Sequence, residues 1–172
     1  GIYAPLLSGG SVIALQHTLG FNGSSGFDVN KLTTTITDYQ PQSMILLPEL
    51  MQALLGAIKH GWQPPESLRF IALGGSKVSI SLLQEAHDLG LPVFEGYGLS
   101  ECGSVVSLNT PADRLLGSIG KVLKHVSVAI ENNEIVVSGN TFLGYIDDVA
   151  SGNKNKSIRA ILVYLMNRIF TY

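Results

Sequence analysis

The sequence predicts an α/β fold: a parallel sheet flanked by helices, followed by the start of an antiparallel, β-barrel-like subdomain. Three observations carry this. From residue 11 to residue 94, short apolar runs alternate with segments of helical periodicity, the pattern of a parallel sheet with helices on its faces. Two of those runs end in Gly-rich segments, Gly74-Gly75-Ser76 and Gly96-Tyr97-Gly98, and ligands on such sheets sit beyond the carboxyl ends of the strands. After Gly117 the alternation gives way to two β-rich runs around a polar turn. The expected divisions are therefore 1–117 for the parallel α/β part, 118–147 for the start of the barrel-like part, and 148–172 for an atypical tail.

The elements follow in chain order. Ser11-Val-Ile-Ala-Leu15, after Gly9-Gly10, reads as a strand. Val29, Leu32, Ile36 and Tyr39 recur at helical spacing, with Asp28 as N-cap and Pro41 as stop, although the run Thr33-Thr34-Thr35 opposes a helix. Ser43 to Leu47 is a continuous apolar run, as expected of a strand covered on both faces. Pro48 opens a helix that turns Leu50, Met51, Leu54, Leu55 and Ile58 inward. Leu68 to Leu73 is the next strand. Ser81 and Gln84 have capping-box spacing for a helix that runs through Leu89 and closes at Gly90 and Pro92. Leu91 to Phe94 is a further strand. Val126–Ile130 and Ile135–Ser138 flank Glu131-Asn132-Asn133-Glu134, and Asn tolerates positive φ, so a hairpin is expected. Gly20–Gly26 and Ser151–Ser157 read as loops.

Composition excludes several function classes. Hydrophobic residues make up 45% of the 172, too many for a disordered chain. The charged fraction is 14%, against about 25% in a typical soluble domain. Mean hydropathy is +0.28. Low charge and an apolar balance suit a piece whose surface belongs partly against other parts. A net charge of −2 leaves no nucleic-acid footprint. The single cysteine, Cys102, excludes a disulfide scaffold or a cysteine zinc cluster, and the four histidines lack metal-ligand spacing. No apolar run reaches the length of a membrane helix and no signal peptide is evident, so a cytoplasmic location is expected.

The chemistry concentrates in Glu95-Gly-Tyr-Gly-Leu-Ser-Glu-Cys-Gly103. A dinucleotide fingerprint would need Gly at 101, where Glu101 stands; a nucleophile elbow would need Gly at 102, where Cys102 stands. Read directly, Tyr97 offers a face for a base, Ser100 a donor for a phosphate oxygen, and Glu101 a carboxylate for Mg²⁺. The same residues also read as a buried Tyr in a turn, with Ser100 as a helix N-cap and Glu101 favouring the helix dipole.

Gly96-Tyr-Gly-Leu-Ser-Glu101 resembles the YGxTE motif of the adenylate-forming (AMP-binding) enzymes, which include acyl-CoA synthetases, peptide-synthetase adenylation domains and luciferases; Ser100 keeps the hydroxyl of the usual Thr. Further segments resemble family elements in the family's order: Tyr3 to Val12, Leu73-Gly-Gly-Ser-Lys-Val-Ser79 (GGAxLS), Gly117 to Leu123 (GSVGxPL), Glu134 to Gly139 (GEIxVxG), and Gly144-Tyr145. The resemblance covers about residues 1–147. It implies that Tyr97 stacks on adenine, that Gly74, Gly75 and Ser76 line the adenine and acyl side, that Ser100 meets phosphate, and that Glu101 binds Mg²⁺ and with Ser100 serves catalysis. Gly96 belongs to the same nucleotide segment, and Gly98 would let a substrate carboxylate approach the backbone. Lys77 and Lys121 read as solvated surface, because the family's catalytic Lys lies in a later domain. His87 and His125 read as structural or exposed, and Cys102 as a small packed residue.

The implied activity is that of an ATP-dependent, AMP-forming acid–thiol ligase. It joins a carboxylic acid to ATP with release of pyrophosphate, then passes the acyl group to coenzyme A or to the phosphopantetheine thiol of a carrier protein. The resemblance breaks in three places. A Ser/Thr/Gly-rich phosphate loop ending in Lys, a TGD element after Gly144-Tyr145, and a lid domain with the catalytic Lys are not among these 172 residues. The chain is therefore expected to be a central piece, inactive alone, whose partners are the N- and C-terminal parts of the same enzyme. The tail from Ser157 to Tyr172 has no family counterpart and stays open between an amphipathic helix, a read-through and a local divergence. A non-catalytic α/β nucleotide-binding module, or a degenerate piece, is the alternative function.

Overall fold

The computed structural model describes residues 2–14, 28–132 and 134–139, and the backbone of 158–161. Its elements are α1 (Tyr3–Leu7), α2 (Val29–Tyr39), β1 (Ser43–Leu46), α3 (Pro48–Lys59), β2 (Phe70–Leu73), α4 (Ile80–Asp88), β3 (Val93–Leu99), a 3₁₀ turn (Ser100–Cys102), β4 (Ser104–Leu108), β5 (Lys121–Val122), β6 (Val126–Glu131), β7 (Glu134–Gly139) and β8 (Ile158–Ile161). The larger sheet has the strand order β1-β2-β3-β4-β5, and the smaller β6-β7-β8. The chain divides into two compact units, Gly1–Leu73 with Gln84–Val93, and Gly74–Leu83 with Phe94–Tyr172.

In the first unit β1 and β2 pair in parallel, Ser43 opposite Phe70 through Leu46 opposite Leu73, with α3 as the crossover. α2 forms as its periodicity demands. Asp28 caps it by accepting from the Lys31 amide at 3.1 Å, and the chain leaves at Gln40 in the left-handed region, φ 46°. The opposing threonines are accommodated because Thr33, Thr35 and Thr37 each donate a hydroxyl to the carbonyl four residues back. Asp28→Ala should lower the stability of this unit by about 1 kcal/mol, read as a shifted denaturant midpoint with an unchanged m-value. Met51, Leu54 and Leu55 of α3 are buried as expected, while Leu50 and Ile58 are half-buried.

Three expectations for this unit and its borders are corrected. Ser11–Ala14 forms no strand, since among the described residues no strand pairs with it. β1 is covered on one face only: Leu46 is buried, but Ile45 on the other face is 67% exposed. A continuous apolar run does not reveal which face is covered. α4 begins two residues earlier than the capping box implied. The Leu82 amide bonds to Ser79 Oγ at 3.2 Å, so Ser79 is the cap; Ser81 already lies inside the helix, and Gln84 donates to Asp88 at 2.8 Å instead of reaching back.

In the second unit β3, β4 and β5 are antiparallel, so the sheet is mixed rather than wholly parallel. β4 follows β3 after the short Ser100–Gly103 turn, too short for a crossover helix. β6 and β7 form the expected hairpin, with Glu131 opposite Glu134 and Asn132 at φ 49°. β8 adds to β7 antiparallel, from Ile158 opposite Val137 to Ile161 opposite Glu134. The helical option for the tail therefore does not hold for these four residues. No closed barrel forms among the described residues. Gly20–Gly26, Gly144-Tyr145 and Ser151–Ser157 lie outside the described residues.

The core of this unit is Cys102, Val106, Val126, Ile135 and Val137, with Tyr97, Leu99, Val122 and Val128 packed against it. Above β4 the 115–120 loop is held by buried polar groups. Ser107 Oγ donates to the Ile119 carbonyl at 2.9 Å, Asn109 Oδ1 accepts from the Leu115 amide at 3.0 Å, and the Gly120 amide donates to Ser118 Oγ at 3.1 Å. Gly120 has φ +84°, and a Cβ there would sit 2.0 Å from the Leu108 carbonyl carbon, so only glycine fits.

Candidate functional site

The two Gly-rich segments meet inside the second unit. A Cβ built on Gly74 would lie 3.1 Å from the Gly96 carbonyl oxygen, so the turn that follows β2 rests directly on the backbone of β3. Gly75, at φ +87°, and Ser76 continue that turn and are exposed. Gly96-Tyr97-Gly98 is not a turn after the strand. It is the second half of β3, which runs on to Leu99, because the antiparallel β4 supplies it with a hydrogen-bonding partner.

Alternation along β3 puts Glu95, Tyr97 and Leu99 on one face and leaves bare backbone at Gly96 and Gly98 on the other. The ladder to β4 shifts register between Tyr97 and Gly98: Tyr97 faces Ser107 but Gly98 faces Val105, with Val106 as the extra residue. Beside Gly98 the space is filled by β4 itself, since a Cβ there would lie 1.7 Å from the Ser104 carbonyl oxygen. The missing side chain at 98 thus serves the crossing of two backbones. Gly103 and Ser104 reverse the chain at φ 74° and 106°.

Tyr97 is half-buried. It lines a narrow apolar cleft, too tight for a water molecule, with Val106, Ser107, Ile119, Val122, Val128 and Ile135. Burial, then the charges of Cys102 and Glu101, push its phenol above the ordinary tyrosine value. Tyr97 is therefore neutral at physiological pH, an aromatic surface and not a base. Cys102 is fully buried, and burial followed by Glu101 raises its thiol as well; it is a packed residue and not a nucleophile.

Ser100 is exposed and opens the 3₁₀ turn. The N-cap position falls on Leu99, which makes no capping bond, so the reading of Ser100 as a helix cap is set aside. Glu101 is half-buried in the same turn. Among the described residues no group of three or more His, Cys, Asp or Glu could hold a metal ion. A single acidic residue in the segment suits Mg²⁺, which is usually held by one or two carboxylates together with the phosphates of its nucleotide.

Lys77 is exposed, as are His87 and His125. Lys121 is not simply solvated: its Nζ pairs with Asp113 Oδ1 at 2.9 Å, although both side chains keep over a third of their surface in water. Two buried polar residues given no role at the sequence level flank the site. Glu95, immediately before Gly96, is only 6% exposed. Asn109 is 2% exposed and hydrogen-bonded at every side-chain atom that can bond. The available signal for both was a polar residue set directly against an apolar run.

Comparison with known proteins finds relatives of this chain. The chain is 31% identical over 133 residues to 2-succinylbenzoate--CoA ligase of Bacillus pumilus (strain SAFR-032), covering 70% of this chain and 27% of that protein. It is similar in structure to o-succinylbenzoate CoA synthetase from Bacillus subtilis bound to a CoA product analogue, with TM-score 0.67, 26% identity, and coverage of 78% of this chain and 30% of that one. The same enzyme in complex with ATP and magnesium ion gives TM-score 0.63 and 28% identity, covering 73% and 29%. The chain thus spans less than a third of the length of these relatives. Residues 1–146 match the family described as AMP-binding enzyme, and the chain belongs to that family.

Proposed function

We propose that the chain carries the nucleotide-facing segment of a cytoplasmic, AMP-forming acid–thiol ligase. That ligase activates a carboxylic acid as its acyl-adenylate and transfers the acyl group to coenzyme A or a carrier-protein thiol. The observation that carries this reading is the seating of the Gly74 turn on Gly96, with Tyr97, Ser100 and Glu101 next in line, in a chain of the AMP-binding family. Tyr97 offers a neutral aromatic surface to adenine. Ser100 donates its hydroxyl to a phosphate oxygen. Glu101 would hold Mg²⁺, which, when bound, neutralises phosphate charge. The 2-succinylbenzoate activated by the relative is an aromatic carboxylic acid, and an acid of that class is the proposed substrate.

The 172-residue chain should bind AMP saturably, and Tyr97→Ala should weaken that binding. By itself it should catalyse no ATP–pyrophosphate exchange above a blank with aromatic or fatty acids, because charge stabilisation around the phosphates requires groups beyond Ser100 and Glu101. Binding indifferent to Tyr97→Ala, or robust exchange by the chain alone, would overturn this assignment. Grafting residues 74–108 into a full-length relative separates it from a non-catalytic nucleotide module: the ligase reading expects exchange to survive the graft, the module reading expects it to vanish.

A further inference from the structure

We propose that Asn109 is the positioning residue of the nucleotide segment, an inference that rests on Gly96-Tyr97 facing the nucleotide. The Glu95 carbonyl oxygen accepts two hydrogen bonds from this one residue, from the Asn109 amide at 3.0 Å and from Asn109 Nδ2 at 2.9 Å. That carbonyl belongs to the peptide joining Glu95 to Gly96. A double anchor there fixes the plane of the peptide on the N-terminal side of a glycine, the residue with the most torsional freedom. On the C-terminal side the ladder is already irregular at Tyr97 and Gly98. The anchor thus adds a side-chain bond to the ladder just ahead of Gly96 and Tyr97, which pair with Leu108 and Ser107, and beside the Gly74 turn that rests on Gly96.

The same side chain binds the 115–120 loop. Nδ2 also donates to the Ser118 carbonyl at 2.7 Å, and Oδ1 accepts from the Leu115 amide and from Ser118 Oγ at 3.4 Å. Asn109 therefore ties the loop and the nucleotide segment to one point. Ser107 provides the contrast. Its buried hydroxyl has one proton to donate and gives it to the same loop, at the Ile119 carbonyl.

The test compares Asn109→Ser with Ser107→Ala in the 172-residue chain, by residue-resolved amide hydrogen exchange and by AMP titration. In Asn109→Ser, exchange at Gly96 and Tyr97 should accelerate about tenfold beyond any change in β6 and β7, and the Kd for AMP should rise about tenfold, as expected for losing one to two net hydrogen bonds. In Ser107→Ala exchange at Gly96 and Tyr97 should change only in step with β6 and β7, and the Kd for AMP should stay within about twofold of the unaltered chain. If Gly96 and Tyr97 speed up only in step with β6 and β7, or equally in both variants, Asn109 is a structural residue and the proposal fails. If the unaltered chain binds no AMP, the nucleotide reading fails, and the exchange comparison still decides whether Asn109 positions the segment. Should Asn109→Ser not fold, Asn109→Asp replaces it: its protonated acid keeps an O–H donor, so Gly96 and Tyr97 should be protected at low pH and loosen as the carboxyl ionises. Protection independent of that ionisation overturns the proposal.

Discussion

Gly98→Ala should destabilise the second unit by about 3 kcal/mol or more, and lower its melting temperature by about 10 °C. The new Cβ would lie 1.7 Å from the Ser104 oxygen, 2.6 Å from its carbonyl carbon and 2.9 Å from Val105 Cα. All three are backbone atoms, so no side chain can rotate away, and β4 itself must move. Gly56→Ala is the internal control. It sits inside α3 with nothing within 4 Å of the added Cβ, so the same substitution there should stabilise by about 1 kcal/mol through helix propensity. Calorimetry of both variants decides the matter; equal and small effects at the two glycines would mean that the close approach of β3 and β4 is not as described.

Glu101→Ala and Tyr97→Ala should fail differently in a full-length relative carrying residues 74–108. Under the proposed function, Glu101 holds a cation over charge that rearranges during reaction, so its loss should lower kcat by roughly 100-fold, about 3 kcal/mol, and added Mg²⁺ should restore only part of it. Tyr97 contributes stacking, worth about 1–3 kcal/mol by analogy with bases on aromatic side chains. Stacking is similar in ground and transition states, so the loss should appear as a higher KM for ATP. Tyr97 also packs against the Val106 and Ile135 cluster, so truncation removes packing as well. Tyr97→Phe keeps the ring and should restore both stability and KM, which isolates the aromatic surface from the hydroxyl. Steady-state kinetics over an Mg²⁺ series provides the check: an unchanged kcat for Glu101→Ala at limiting Mg²⁺ would remove the carboxylate from the chemistry.

The sequence was legible wherever the determining interaction is local. Asp28 caps α2 from three residues away, Pro48 opens α3, and Asn132 turns the β6–β7 hairpin at positive φ. Each depends on a neighbour within about four positions, so a short window contains the whole cause. The family motifs are legible for the same reason, since Gly96 to Glu101 is a contiguous segment. Local spacing can also mislead: the capping-box spacing pointed to Ser81, and the α4 cap is Ser79, two residues earlier.

The rest needed the fold. Strand direction is not encoded in an apolar run, so the antiparallel β4 and the extension of β3 through Gly96-Tyr97-Gly98 became visible only when the two backbones were paired. The reason for glycine at 98 lies six residues on, at the Ser104 carbonyl, and that at 120 lies twelve residues back, at Leu108. Asn109 is an unremarkable polar residue in sequence, yet fourteen residues from Glu95 it satisfies that residue's carbonyl in a buried site. Sequence by itself determined the family, the helices and the β6–β7 hairpin, and it named the candidate site residues, because these are matters of local pattern. Tertiary structure alone decided which backbone groups lie close enough to forbid a side chain or demand a hydrogen bond, because burial makes an unpaired polar group or an overlapping atom costly only once the distant segment has arrived.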